Sequence, residues 1–346
     1  MKILVDAMGG DNAPLAPVEG ALRAAKELKV EIVLTGRPEV ISDTLKKLGH
    51  DAPPAGVTVV PASEVITMED NPATAFKDKK DSSMTVGLNL VKNGEADGMV
   101  SAGSTGALLS GATLLVKRIR GIRRAALAPV LPNKTGNMVL IDCGATADCT
   151  PEYLLQFAFM GSYYARRFLN IESPRVALLN IGAEESKGTD LQRETYALLT
   201  KASEEGRIRF VGNIEGREVI ADGGVDVLVS DGFTGNVFLK TYEGCAKFFG
   251  SMLKGMLLKT AKTKIAALLI KNDVTAFKKT FDPSEVGGTA MLGISKPVVK
   301  AHGSSDARAI FNAVRQTVSV AQSGIIEDIT ANVEHMRLPV GTAAKE

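Results

Sequence analysis

Short β-rich runs alternate with helical periods along almost the whole chain, and this alternation restricts the fold more than any single motif. Ile3–Asp6, Val30–Thr35, Val57–Pro61, Gly98–Ala102, Ala126–Leu131, Met138–Cys143, Arg175–Ile181 and Val225–Ser230 read as strands. Between many of them lie amphipathic segments, including Pro17–Leu28, Glu39–Leu48, Thr105–Ile119, Glu152–Phe168 and Leu191–Ala202. Strands joined through helices are mostly parallel, because the crossover returns the chain to the same end of the sheet. Ala126–Leu131 and Met138–Cys143 are separated only by Pro132-Asn133-Lys134-Thr135-Gly136, a spacing that suits a hairpin. The expectation is therefore an α/β protein with a mostly parallel mixed sheet and helices on both faces. No repeat, low-complexity segment or long linker marks a boundary, so residues 1–330 read as one unit and 331–346 as a tail.

Three strand ends share one grammar: an apolar run, a small polar turn bearing glycine, then a helix. They are Ser101-Ala102-Gly103-Ser104-Thr105-Gly106, Asn180-Ile181-Gly182-Ala183-Glu184-Glu185-Ser186-Lys187-Gly188 and Asp231-Gly232-Phe233-Thr234-Gly235-Asn236. Free N–H groups and the helix dipole at such turns favour an anion, phosphate above all. Ser104 and Thr105 serve either as a helix cap or as anion ligands. Lys187 either pairs with Glu184 and Glu185 or meets an oxyanion, and the Asn236 amide is a cap or an oxyanion donor. The first strand ends in Asp6-Ala7-Met8-Gly9-Gly10-Asp11-Asn12-Ala13-Pro14, either a tight turn or the rim of a ligand crevice with Asp6, Gly9 and Gly10 on it. Near the C-terminus, His302 and Ser304 stand in another turn that leads into a helix.

What is missing narrows the chemistry. No Gly-x-Gly pair, Gly-Lys-Ser/Thr loop or Gly-x-Ser-x-Gly elbow occurs. The three histidines, His50, His302 and His335, lie far apart in sequence, so neither a metal centre nor a catalytic relay is expected. Trp is absent, aromatics make up 5% and the net charge is +2, a balance that gives no platform for nucleic acid. Cys143, Cys149 and Cys245 form no disulfide framework and suit a reducing cytoplasm. Met1 runs straight into a strand, so no signal peptide is expected, and no run of about 18 uncharged apolar residues suggests a membrane span.

One region breaks the pattern. Residues 247–271 contain six lysines and no acid. Phe248, Phe249, Met252, Leu253, Met256, Leu257 and Leu258 bunch at helical spacing, and Ile265, Leu268, Leu269 and Ile270 follow. The segment reads either as core helices with solvated lysines or as an amphipathic insertion facing lipid. A second acid-free basic run comprises Lys117, Arg118, Arg120, Arg123 and Arg124.

These motifs, with Val5–Pro14 and Ala301-His302-Gly303-Ser304-Ser305, resemble the PlsX family of acyl-[acyl-carrier-protein]:phosphate acyltransferases. The match runs from Met1 to about residue 330. The resemblance implies a three-layer α/β/α sandwich similar to isocitrate/isopropylmalate dehydrogenases and phosphotransacetylases, assembled as a homodimer. It implies transfer of a long-chain acyl group from acyl carrier protein to inorganic phosphate, without a cofactor. The acyl phosphate would feed a membrane glycerol-3-phosphate acyltransferase. It also implies a cytoplasmic protein that associates with the inner membrane face, which favours the lipid reading of 247–271. Phe249, Leu253, Leu257, Leu258, Leu268 and Leu269 are then candidates to meet lipid or the acyl chain. In this reading Lys187 and Asn236 are the catalytic candidates. Asp6, Gly9, Gly10, Ser104, Thr105, Gly182, Asp231, Thr234, Gly235, His302 and Ser304 form the phosphate and substrate site.

Overall fold

The computed structural model describes residues 1–337, and its strands gather into two sheets. The first sheet holds β1 (Lys2–Asp6), β2 (Glu31–Gly36), β3 (Val57–Pro61), β4 (Gly98–Ser101), β5 (Ala126–Ala128), β11 (Thr289–Leu292) and β12 (Val298–Lys300). Their spatial order is β3-β2-β1-β4-β12-β11-β5, and only β11 runs against its neighbours. The second holds β6 (Val130–Asn133), β7 (Gly136–Ile141), β8 (Arg175–Asn180), β9 (Arg209–Glu215) and β10 (Val227–Val229). Its order is β6-β7-β10-β8-β9, with only β6 antiparallel. The mostly parallel, mixed α/β architecture is as expected, divided between two sheets.

Side-chain alternation along each strand explains the layers. Ile3 and Val5 point to the face covered by the helices Leu15–Leu28 and Ala307–Gln322, through Val18, Ala21, Ile310 and Val314. Leu4 points the other way, onto Met84, Leu88 and Val91 of the helix Ser83–Lys92. In the second sheet, Ile141, Val176 and Val229 pack on Phe157, Ala158 and Tyr164 of Pro151–Phe168. Leu140, Ala177 and Leu228 face Leu239 and Val219 in the same apolar cluster as Leu4 and Met99, so the two sheets share a core. Each fully buried Leu, Ile or Val contributes about 1.5–3 kcal/mol.

The expected hairpin strand Ala126–Leu131 is divided at Pro129. Proline brings no N–H to a ladder, so Ala126–Ala128 stays in the first sheet while Val130–Asn133 pairs with β7 in the second. The expected helix Thr105–Ile119 changes character at Ala112, where Thr105–Gly111 gives way to a wider π-helical turn over Ala112–Lys117. Strands β9, β11 and β12 and the helix Ser83–Lys92 were not among the expectations. In the segment expected to be a tail, Val333–Met336 forms a short helix whose Val333 and Met336 are buried against the second core; residues 338–346 lie outside the described residues.

The amphipathic insertion is longer than its sequence signal. A single helix, Gly232–Leu257, starts at the end of β10 and is followed by Ala261–Leu269 and Lys271–Thr280. Neither of the latter two buries a single residue. They are an exposed arm, not core helices. Phe248, Phe249, Met256, Leu268 and Leu269 lie on its outside, Leu269 with 82% of its surface exposed. Leu253 and Leu257 turn inward and, with Gly250, Leu258, Ala267, Val274 and Phe277, line a cavity of about 200 Å³ between the three helices.

Candidate active site

The carboxyl ends of β1, β4 and β12 lie side by side and carry the first half of the site. Asp6, 2% exposed, accepts a hydrogen bond from Ser101 Oγ at 2.7 Å and one from the Met8 N–H at 3.1 Å. Ser101 Oγ in turn accepts from the Gly103 N–H at 3.1 Å. Gly9 lies against this turn: a β-carbon there would stand 2.6 Å from Asp6 Oδ2 and 2.7 Å from Gly103 N. Gly10 has φ +99° and faces Ala102 and the Gly303 carbonyl, so the first loop fits only with glycine at both positions. The Asp11 N–H donates to the Gly303 carbonyl at 2.8 Å, and Asn12 Nδ2 reaches the Ser304 and Ser305 carbonyls at 3.1 Å. His302 Nδ1 and Ser304 Oγ are 2.8 Å apart. Asp6, Gly9, Gly10, Ser104, His302 and Ser304 are thus gathered at one strand-end edge.

Burial shapes the charges there. Desolvation raises the pKa of Asp6, against the pull of the Ser83 and Ser101 hydroxyls. Partial burial, then the charge of Lys240, lowers that of His302, favouring the neutral imidazole. Lys300, on β12, is 9% exposed and its pKa is pushed down to about 8, first by desolvation and against the attraction of Asp11 and Asp6.

The second half lies at the ends of β7, β10 and β8. Asp142 accepts from the backbone N–H groups of Leu127 (2.9 Å), Cys143 (2.7 Å), Ala145 (2.9 Å) and Thr146 (2.8 Å). Asp231 caps the long helix by accepting from the Thr234 N–H at 2.8 Å. Gly235 is pressed onto the Asp142 carbonyl, 1.9 Å from where a β-carbon would sit. That contact brings the exposed Asn236 side chain to 3.7 Å from the position of a β-carbon on Gly144. One turn further, Lys240 influences both Cys143 and the His302–Lys300 pair, so the start of this helix faces both halves.

At the end of β8, Lys187 folds over Gly182, its Cγ 3.0 Å from where a β-carbon would stand. Asn180 Nδ2 holds the Lys187 carbonyl at 3.1 Å. Lys187 is exposed, and among the described residues no carboxylate lies within ion-pair distance of it. It therefore does not take the alternative of pairing with Glu184 or Glu185. Among the described residues no hydrogen bond or ion pair joins Lys187 to Asn236 or to the Ser104 turn.

The turns now differ in one respect. At 6–10, 142–146 and 231–234 a carboxylate of the chain itself already takes the free N–H groups. At Ser104 only a hydroxyl does, accepting from the Ala107 N–H at 3.5 Å, with Thr105 half-buried beside it. Asp231 and Thr234 have a capping role. Lys300, Ser101 and Asp142 were missed; their signal was a charged or polar residue inside an otherwise apolar run.

The same α/β architecture recurs among solved enzymes. The phosphotransacetylase EutD from Staphylococcus aureus superposes with a TM-score of 0.59 at 19% identity, covering 93% of this chain and 94% of its own. A phosphotransacetylase from Streptococcus pyogenes gives 0.59 at 21%, over 93% and 94% of the two chains. At that distance the likeness shows the fold alone. A family model described as "Fatty acid synthesis protein" matches residues 1–328. The phosphate acyltransferase of Alkaliphilus oremlandii is 48% identical over 97% of this chain and 98% of its own, and that of Clostridioides difficile 46% over 95% of each. The chain belongs to this family of acyltransferases, the PlsX family that its motifs resemble.

Proposed function

We propose that this chain transfers a long-chain acyl group from acyl carrier protein to inorganic phosphate, yielding an acyl phosphate for phospholipid synthesis. The observation that carries the site assignment is the Ser104 turn, where among the described residues only hydroxyls, and no carboxylate, accept from the N–H groups. Phosphate sits at Ser104 and Thr105, helped by the Gly182 backbone and Lys187. A phosphate oxygen attacks the thioester carbonyl, and the C–O bond forms as the carbonyl electrons move onto oxygen. Lys187 and the Asn236 amide stabilise that oxyanion. The C–S bond then breaks, and the departing thiolate, whose conjugate acid has a pKa of about 8.5, takes its proton from solvent. No histidine relay is needed.

The arm extends the reading. No helix among the described residues is long and apolar enough to cross a membrane. An exposed apolar face edged by lysine suits the surface of an anionic bilayer. The protein would then work at the inner membrane face, as a homodimer, and hand its product to a membrane glycerol-3-phosphate acyltransferase. The inward-facing cavity begins at Gly250, 14 residues past Asn236 (236 to 250) and about 21 Å along the helix at 1.5 Å per residue, and takes the distal part of an acyl chain or lipid. The carrier protein is acidic and docks on basic residues. Lys117–Arg124 are tied to residues 293–295, which lead into the start of β12, the end opposite the site. That favours the lysines of 247–271 for docking.

The test is consumption of a long-chain acyl thioester on acyl carrier protein, with and without phosphate and with no added metal. Phosphate-dependent acyl phosphate is the expected product. Turnover confined to acetyl- or butyryl-CoA would make this a short-chain phosphotransacetylase, and no turnover at all a non-enzymatic scaffold.

A further inference from the structure

Lys300 is a buried cation at the junction of two strand-end turns. Its Nζ donates to the Ala102 carbonyl at 3.3 Å and to the carbonyl of Ala301. Those carbonyls immediately precede Gly103 and His302. Strands β4 and β12 are parallel neighbours here, with Lys300 in register with Ser101 and the Ala301 N–H donating to the Ser101 carbonyl at 3.0 Å. From the opposite side, Asp6 and Ser101 hold the Gly103 N–H. The segment 101–104 is thus clamped by a carboxylate–hydroxyl pair on one flank and by an ammonium on the other.

An ammonium has three hydrogens, and the two carbonyls use two of them. Among the described residues no carboxylate lies within ion-pair distance of Lys300, although such a charge, once buried, calls for a partner. A lysine whose only task was to tie two carbonyls would carry an unneeded charge at that depth.

We propose that Lys300 is the positioning residue of the phosphate site: it fixes the Ala102–Ser104 turn and places a positive charge behind the anion bound there. This deepens the proposed function and rests on it. The titratable groups around Lys300 come from four elements: Asp6 from β1, Asp11 from the following turn, Lys240 from the long helix and the neutral His302 beyond β12. The two acids favour the charged amine and Lys240 opposes it, while desolvation outweighs them all and brings the pKa to about 8. The charge is therefore present below that value and is lost as the pH rises through it. The neutral amine keeps two hydrogens for the two carbonyls, so deprotonation weakens phosphate binding without releasing the turn.

The experiment measures KM for phosphate and for the acyl donor, with kcat, between about pH 6.5 and 9.5, for the wild type and Lys300→Met. Above about pH 7.5 inorganic phosphate is already mostly the dianion, so a further change reports the protein. Wild-type KM for phosphate should rise across pH 8, while that for the acyl donor stays within about two-fold. In Lys300→Met, phosphate KM at pH 7 should be raised roughly 10- to 100-fold and its rise across pH 8 lost. Lys300→Arg, whose charge does not titrate, should also lose that rise. Should both variants fail to fold, the wild-type profile alone decides. A flat wild-type phosphate KM, or a folded Lys300→Met with unchanged phosphate KM, overturns the inference while leaving the transferase intact. A wild type with no phosphate-dependent turnover overturns both.

Discussion

Gly235→Ala offers a sharp test of how the site is assembled. A β-carbon at position 235 would stand 1.9 Å from the Asp142 carbonyl oxygen and 3.1 Å from its carbon. Ordinary contact begins near 3.4 Å, so the two must separate by about 1.5 Å, and both are backbone. Asp142 cannot yield readily, because four backbone N–H groups anchor its carboxylate. Overpacking of this kind costs about 3 kcal/mol, and alanine returns about 1 kcal/mol of helix propensity, leaving a net loss of about 2 kcal/mol. The displacement falls on the residue next to Asn236, and a shift of about 1 Å at a reacting centre costs on the order of 10²-fold in rate. Gly244→Ala, in the same helix with nothing within 4 Å, is the control and should be neutral or stabilising by up to about 1 kcal/mol. Thermal melts and kcat with acyl carrier protein substrate read both effects. Equal melting temperature and equal turnover for Gly235→Ala and Gly244→Ala would refute the packing argument.

Other outcomes can be checked alongside. Lys187→Ala and Asn236→Ala should each lower kcat roughly 10²–10³-fold with unchanged melting temperature, and near-full activity in either removes its oxyanion role. Asp142→Asn should cost about 3 kcal/mol in denaturant titration, because an amide leaves about two buried N–H donors without an acceptor. Arg175 holds Asp226 in two hydrogen bonds of 2.9 Å; although desolvation is the largest influence and raises its pKa, Arg175 brings it below 3.8. Stability from this pair is therefore fully present above the unfolded value and is lost as the pH falls through the folded one. Asp226→Asn should cost about 1–2 kcal/mol at pH 7 and progressively less as the pH falls below 3.8, as measured by urea unfolding. Phe249→Glu with Leu268→Glu should abolish sedimentation with anionic vesicles while leaving the melting temperature within about 1 °C.

Much of the fold was legible because it rests on local periodicity. The helices expected at Pro17–Leu28 and Glu152–Phe168 are found at Leu15–Leu28 and Pro151–Phe168. What periodicity does not encode is which sheet a strand joins. Ala126–Leu131 is one apolar run, yet Pro129 divides it between two sheets. β12 escaped notice because three residues, one of them Lys300, make too short a pattern to read. The glycine-bearing turns were visible as motifs, but only the geometry shows which of them its own carboxylates fill. Lys300 acquires its character first from burial and then from Asp11, Asp6 and Lys240, all of it supplied by folding, and no window of sequence around it contains that information.

The order of strands in the first sheet has a consequence for biosynthesis. β12 and β11 lie between β4 and β5, but β12 starts 170 residues after β5 ends (128 to 298). At about 5–20 residues per second, a ribosome needs roughly 10–30 s to supply them. Throughout that interval the facing edges of β4 and β5 have no partner, the condition in which nascent chains pair wrongly or recruit a chaperone. The second sheet, uninterrupted from Val130 to Val229, can close first. Lys300 arrives with the last strand of the first sheet, so the anion turn is completed only after every strand of the second sheet has been made.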